Sequence, residues 1–80
     1  MKAHVEIRLK KGVADPEGVN TLKALRLLGF KGLSDVHSAK LFEIELDEQD
    51  VDKAKENVEE MCKRLLANPV IQDYRIEIRS

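Results

Sequence analysis

The chain has no tryptophan, and its aromatic residues are only Phe30, Phe42 and Tyr74 in 80 positions. That is too few for the stacking platform with which RNA-binding sheets hold bases. It also has no excess of positive charge, because 14 basic and 15 acidic side chains leave a net charge of −1. A phosphate backbone is recognised by a basic face that displaces counterions, so nucleic acid is not an expected partner. No apolar run approaches the roughly 20 residues that cross a bilayer. The opening Met1-Lys2-Ala3-His4-Val5-Glu6 alternates polar and apolar and lacks a signal peptide's apolar stretch. A single cysteine, Cys62, excludes an internal disulfide. These absences lead to the expectation of a cytoplasmic protein with no membrane contact.

What is present is periodic. Ala3, Val5, Ile7 and Leu9 alternate with Lys2, His4, Glu6, Arg8 and Lys10, which predicts a strand with one buried and one wet face. Asp15 suits a helix N-cap, since its carboxylate can accept from first-turn N–H groups that have no backbone partner. Pro16 fits the first helical position, where a missing N–H costs nothing. A helix is expected from Pro16 to about Leu28, with Val19, Leu22, Leu25 and Leu28 on one stripe. Gly29 ends it in a left-handed conformation and Phe30 folds back. A second helix is expected from Asp47 or Glu48 to about Ala67. Its stripe is Val51, Ala54, Val58, Met61 and Leu65, with Cys62 alongside, and Pro69 stops it. Tyr74, Ile76 and Ile78 alternate with Asp73, Arg75, Glu77 and Arg79 as a final strand.

Residues 33–47 admit two readings. Phe42, Ile44 and Leu46 form one face, with Glu43 and Glu45 opposite, and Val36 shares the apolar parity. They fit one long bent strand, or two strand segments about a bend or turn near Ser38-Ala39; we favour the second. The whole of 1–80 then reads as one α+β domain. It is ferredoxin-like in outline, with an open antiparallel sheet in β-α-β-β-α-β order and two helices on one face. Eighty residues bury only about 60% of the surface they would expose unfolded, so association is a reasonable source of further stability. Leu33, Leu41, Val70 and Ile71 do not fit the buried faces, and Leu41 should point away from the helices.

No catalytic constellation emerges. Cys62 borders an apolar helix face that carries Glu56, Glu59 and Glu60, a setting that favours an inert core thiol over a nucleophile. One cysteine cannot supply a Cys-x-x-Cys metal pair. His4 and His37 share the polar parity and lack a third ligand; surface histidines are the plainer reading. Paired carboxylates such as Glu43/Glu45 and Glu59/Glu60 read as solvated faces. The glycines at 12, 18, 29 and 32 match neither phosphate-loop spacing. Gly18 is either a site of close backbone approach or a tolerated helix-start glycine.

Several blocks taken together resemble the PurS family, the small subunit of phosphoribosylformylglycinamidine synthase in purine biosynthesis. They are Asp15-Pro16-Glu17-Gly18, Ala24-Leu25, Leu28-Gly29-Phe30, and Asp35-Val36 with Lys40 and Glu43. The most specific is Met61-Cys62-Lys63-Arg64-Leu65-Leu66-Ala67-Asn68-Pro69-Val70-Ile71 with Tyr74. The resemblance covers the whole chain in order. One departure is Ala39, where the family usually has glycine before the lysine, and it bears on the turn or bend there. The resemblance implies a non-catalytic subunit that binds no cofactor itself, in an ATP- and Mg-using ligase. Its implied partners are a second copy of itself (a homodimer or larger), a large synthetase subunit and a glutaminase subunit. In that family the small subunit bridges the other two and helps form the ammonia path. Asp15, Pro16, Gly18, Leu33, Leu41, Val70 and Ile71 are then the expected interface residues. A ferredoxin-like small-molecule-binding regulatory module, such as an amino-acid sensor, is the alternative.

Overall fold

In the computed structural model, which describes residues 1–79, β1 (Lys2–Leu9) is the centre of a three-stranded antiparallel sheet ordered β2-β1-β3. β2 (Ala39–Glu45) flanks it on one side and β3 (Gln72–Arg79) on the other. Val5 sits opposite Phe42 and Ile76, and Ala3 opposite Ile44 and Ile78. With a side-chain period of two, this register gathers the apolar residues of all three strands on one face. The other face is a lattice of exposed ion pairs, including Lys2 with Glu43 at 3.1 Å and Arg75 with Glu6 at 3.6 Å.

α2 (Val51–Met61) lies across the apolar face over β1 and β3. Its start is later than the sequence led us to expect, because Asp50 rather than Asp47 or Glu48 is the cap. The Asp50 carboxylate accepts from the Asp52 N–H at 2.9 Å, as an N-cap should. Val5, Val58 and Cys62 are wholly buried and form the centre of the core. One π-helical turn, Cys62–Leu66, follows α2, and its wide ring closes with the Ala67 N–H donating to the Cys62 carbonyl at 3.0 Å. The turn keeps Cys62 and Leu66 inward, so Leu65, expected on the buried stripe, is 83% exposed. The Val70 N–H then donates to the Asn68 side chain, and the Gln72 N–H to the Asn68 carbonyl at 2.8 Å. Asn68-Pro69 is thus a helix stop and turn that delivers the chain into β3.

The expected class, α+β with an open antiparallel sheet, is what the structure shows, but two details differ. Residues 33–38 form no strand. Their backbone is used by α1 (Pro16–Leu27) instead of by the sheet: the Leu33 carbonyl accepts from Arg26 Nη2 at 2.9 Å, and the Ser38 N–H is taken by Asp15. Ala39 begins β2 without a positive φ, so no left-handed turn occurs where the family usually has glycine. The second difference concerns α1. It does not share the sheet face with α2, and none of its residues belongs to the core cluster. Gly29 (φ +94°) does end it, and the Phe30 N–H bonds back to the Leu25 carbonyl at 3.2 Å. Phe30 itself remains exposed. The radius of gyration is 16.0 Å, against about 12 Å for a compact chain of this length. Residues 13–38 therefore form an arm that stands off the sheet.

Candidate interface

The arm is held at its base by Asp15. One carboxylate accepts from the Gly18 N–H at 3.0 Å, the Ser38 N–H at 2.7 Å and the Ser38 hydroxyl at 2.7 Å. These donors hold the Asp15 carboxyl below its ordinary pKa, the Gly18 N–H contributing most. Gly18 is buried beneath the returning segment, and a Cβ there would lie 2.3 Å from the Val36 carbonyl oxygen. Of the two readings of this glycine, close backbone approach is the correct one. Pro16 begins α1 beside it, and Leu33 is half-buried on the returning segment of the arm.

The other expected interface residues lie elsewhere. Leu41 is 62% exposed on the open face, beside His4, Glu6, Arg75, Glu77 and Arg79 in a shallow cleft. Val70 is 79% exposed on the turn before β3, and the neighbouring Ile71 carbonyl accepts from the Lys10 N–H at 2.8 Å. The structure thus joins Asp15, Pro16 and Gly18 into one unit. Leu41 occupies a separate surface, and Val70 and Ile71 sit at the end of the sheet where β1 leaves and β3 enters.

The covered stripe expected on this segment includes Val19, Leu28 and Phe30 and omits Leu27. All four are exposed on the arm, Leu27 at 88% and Leu28 at 75%. The signal that pointed to this was Leu25, Leu27 and Leu28 in close succession, a wider apolar band than one buried stripe needs. β2 supplies a matching deficit. Phe42, Ile44 and Leu46 point to the helix side but are only half-buried, since α2 covers β1 and β3.

Catalytic groups remain dispersed. Burial pushes the Cys62 thiol pKa up, and the Glu59 charge adds to it, so the inert protonated form is favoured. His4 pairs with Glu43 at 3.2 Å and His37 with Asp35 at 3.2 Å, on separate parts of the chain. Glu43 and Glu77 carry depressed pKa values, Glu43 chiefly from a hydrogen bond with Lys2 and Glu77 from one with Arg79. Both are solvated ion pairs. Among the described residues there is no group of three or more His, Cys, Asp or Glu placed to hold a metal ion, and no helix is long and apolar enough to cross a membrane.

Known proteins match this arrangement throughout. Residues 2–80 fit the family described as PurS, phosphoribosylformylglycinamidine (FGAM) synthase. The chain is 55% identical over 76 residues to the PurS subunit of that synthase from Archaeoglobus fulgidus, covering 95% of each chain. The crystal structure of Methanocaldococcus jannaschii PurS, one of the subunits of formylglycinamide ribonucleotide amidotransferase, superposes with a TM-score of 0.90 at 51% identity. The match covers 99% of this chain and 95% of that one. Since the arm is roughly a third of the chain, a score this high requires a similarly directed arm in that crystal structure. A chain in the structure of PurLQS from Thermotoga maritima matches at a TM-score of 0.71 and 29% identity, covering 95% of this chain and 93% of that one.

Proposed function

The chain belongs to the PurS family of phosphoribosylformylglycinamidine synthase subunits, and on that premise we propose that residues 1–80 act as one non-catalytic bridging unit in that ligase. The chain docks a large synthetase subunit and a glutaminase subunit, self-associates, and supports ammonia transfer between them in the cytoplasm. ATP and Mg are used by the synthetase subunit and do not bind here. The single observation that carries this reading is the match to a chain of the PurLQS structure over 95% of the present sequence. Catalytic groups scattered over separate surfaces are what a scaffold role requires.

The docking residues in this reading are Asp15, Pro16, Gly18 and Leu33 through the arm, Leu41 on the open face, and Val70 and Ile71 on the turn. Leu41, Val70 and Ile71 are exposed apolar side chains on surfaces that fold without them. Reconstitution tests the function directly. With both partner subunits present, omitting this chain should abolish glutamine-dependent synthesis while synthesis from free ammonia continues. Equal glutamine-dependent rates with and without the chain would refute the bridging role. Leu41→Lys should leave the fold intact and weaken complex formation in light scattering; unchanged complex mass would remove Leu41 from the interface.

A further inference from the structure

A cavity of about 550 Å³ lies in the crook where β1 gives way to the arm, and Leu33, Leu41, Val70 and Ile71 take no part in it. Its volume falls within the roughly 300–1,000 Å³ of small-molecule pockets and exceeds what a bare inorganic ion fills. One wall is the end of β1 with the turn that follows it, Arg8 to Val13. The other is the foot of the arm, with Asp15, Asp35 and His37. The turn is fixed by the Val13 N–H, which donates to the Lys10 carbonyl at 3.1 Å, and by Gly12 at φ +89°.

The charges in this cavity are unevenly engaged. Asp15 already accepts from the Gly18 N–H, the Ser38 N–H and the Ser38 hydroxyl. Asp35 accepts from the Val36 N–H at 2.9 Å and pairs with His37 at 3.2 Å. Arg8 is bound to Glu6. Lys10 reaches only Asp73, at 3.9 Å between exposed ends, which is a weak tie. Among the described residues Lys11 has no ion-pair partner. Three cations against two acids leave the lining net positive before His37 is counted, and its two least engaged charges are lysines. Leu9 and Val13, both half-buried, supply an apolar part of the same wall.

The geometry points to a binding site for a small phosphomonoester, its phosphate held between Lys10 and Lys11 on the turn and His37 on the arm, its organic body against Leu9 and Val13. A phosphate offers three acceptor oxygens and nearly two charges to donors that come from separate elements; a carboxylate has only two oxygens and one charge. The first-turn N–H groups of α1 are not needed, since Asp15 caps that helix. Such a ligand spans β1 and the arm, so it binds the present arrangement of the two and stabilises it by its own affinity. Asp15 ties the two ends of the arm to each other; the ligand ties the arm to the sheet. The bridging role does not require this site, and either can fail alone.

Titration calorimetry with inorganic phosphate, ribose 5-phosphate and AMP, at ionic strength matched with chloride, tests the assignment. Both esters should bind at least about tenfold more tightly than inorganic phosphate. Tighter AMP supports a nucleotide as the source and equal esters a sugar phosphate; either result upholds the site. Lys10→Gln with Lys11→Gln should weaken the esters at least about tenfold and leave the ligand-free melting temperature unchanged, while Lys11→Arg keeps most of the affinity. Bound ester should add amide protection to residues 13–38 under hydrogen exchange, and His37→Ala should lose that protection. No binding of either ester, esters no tighter than inorganic phosphate, full affinity in the double lysine variant, or binding that leaves the arm's exchange unaltered would overturn the proposal.

Discussion

α2 and α1 are both amphipathic helices in one small protein, yet only one is buried by its own chain. Beneath α2, Ala54, Val58 and Cys62 are fully covered, and Val58 and Cys62 share the core cluster with Val5 on the sheet. On α1, Leu27 and Leu28 face solvent, and Leu22 and Leu25 are only half-buried. The difference lies in the connections. α2 passes through its π-helical turn and the Asn68 turn directly into β3, so the helix is drawn over the sheet it feeds. α1 is anchored at its start to Ser38, just before β2, and the returning segment spends its hydrogen bonds on the helix. Hydrophobic patterning marks a face that can be buried; it does not state what lies over it.

Substitutions on the two sides should separate the regions. The largest effect is expected at Val58. Val58→Asp places an unpaired charge in a site with no solvent, at a cost of about 3–5 kcal/mol, much of the stability of a small domain. Circular dichroism should show no cooperative unfolding transition, and a normal melt would mean that this core is not the foundation of the fold. Gly18→Ala comes next, because the new Cβ would press on the Val36 carbonyl and the Asp15 carboxylate. We expect a melting temperature lower by several degrees, with the sheet's amide protection retained and the arm's lost under hydrogen exchange. Equal loss in both regions would mean that arm and sheet unfold together.

Acid provides a gentler version of the same comparison. The Asp15 pKa is depressed in the folded chain from an ordinary value of 3.8. Its contribution is therefore complete above that value and is lost as pH falls through the lower folded one. Below about pH 4 the arm should loosen before the α2-covered core, and Asp15→Asn should weaken that pH dependence. An unchanged profile in the variant would exclude the latch as its source. The smallest effect is expected at Cys62. Cys62→Ala removes one buried atom and should cost about 1 kcal/mol, with glutamine-dependent synthesis in the reconstituted enzyme nearly intact. Loss of activity in a folded variant would give the thiol a role that its raised pKa argues against.

Much of this was legible from residues alone. The alternation in β1 and β3 defined two strands and their buried faces, and Asp15-Pro16 with Gly29 bracketed α1 almost to the residue. Leu41's parity placed it on the open face, where it is found. The errors share a physical origin. Leu65 departs from its expected stripe because one π-helical turn shifts the inward positions from Met61 and Leu65 to Cys62 and Leu66, and nothing in a 3.6-residue period announces such a turn. Val36 matched strand parity, but parity does not decide whether a backbone pairs with a sheet or with a helix. The stripe on α1 has the spacing of a buried face, but apolar spacing does not state whether the chain's own sheet lies beneath it.

Sedimentation equilibrium of the isolated chain over a wide concentration range tests the central claim most directly. The account predicts the mass of at least two chains at micromolar concentration and above, with dissociation on dilution. A single folded chain at every concentration would contradict it.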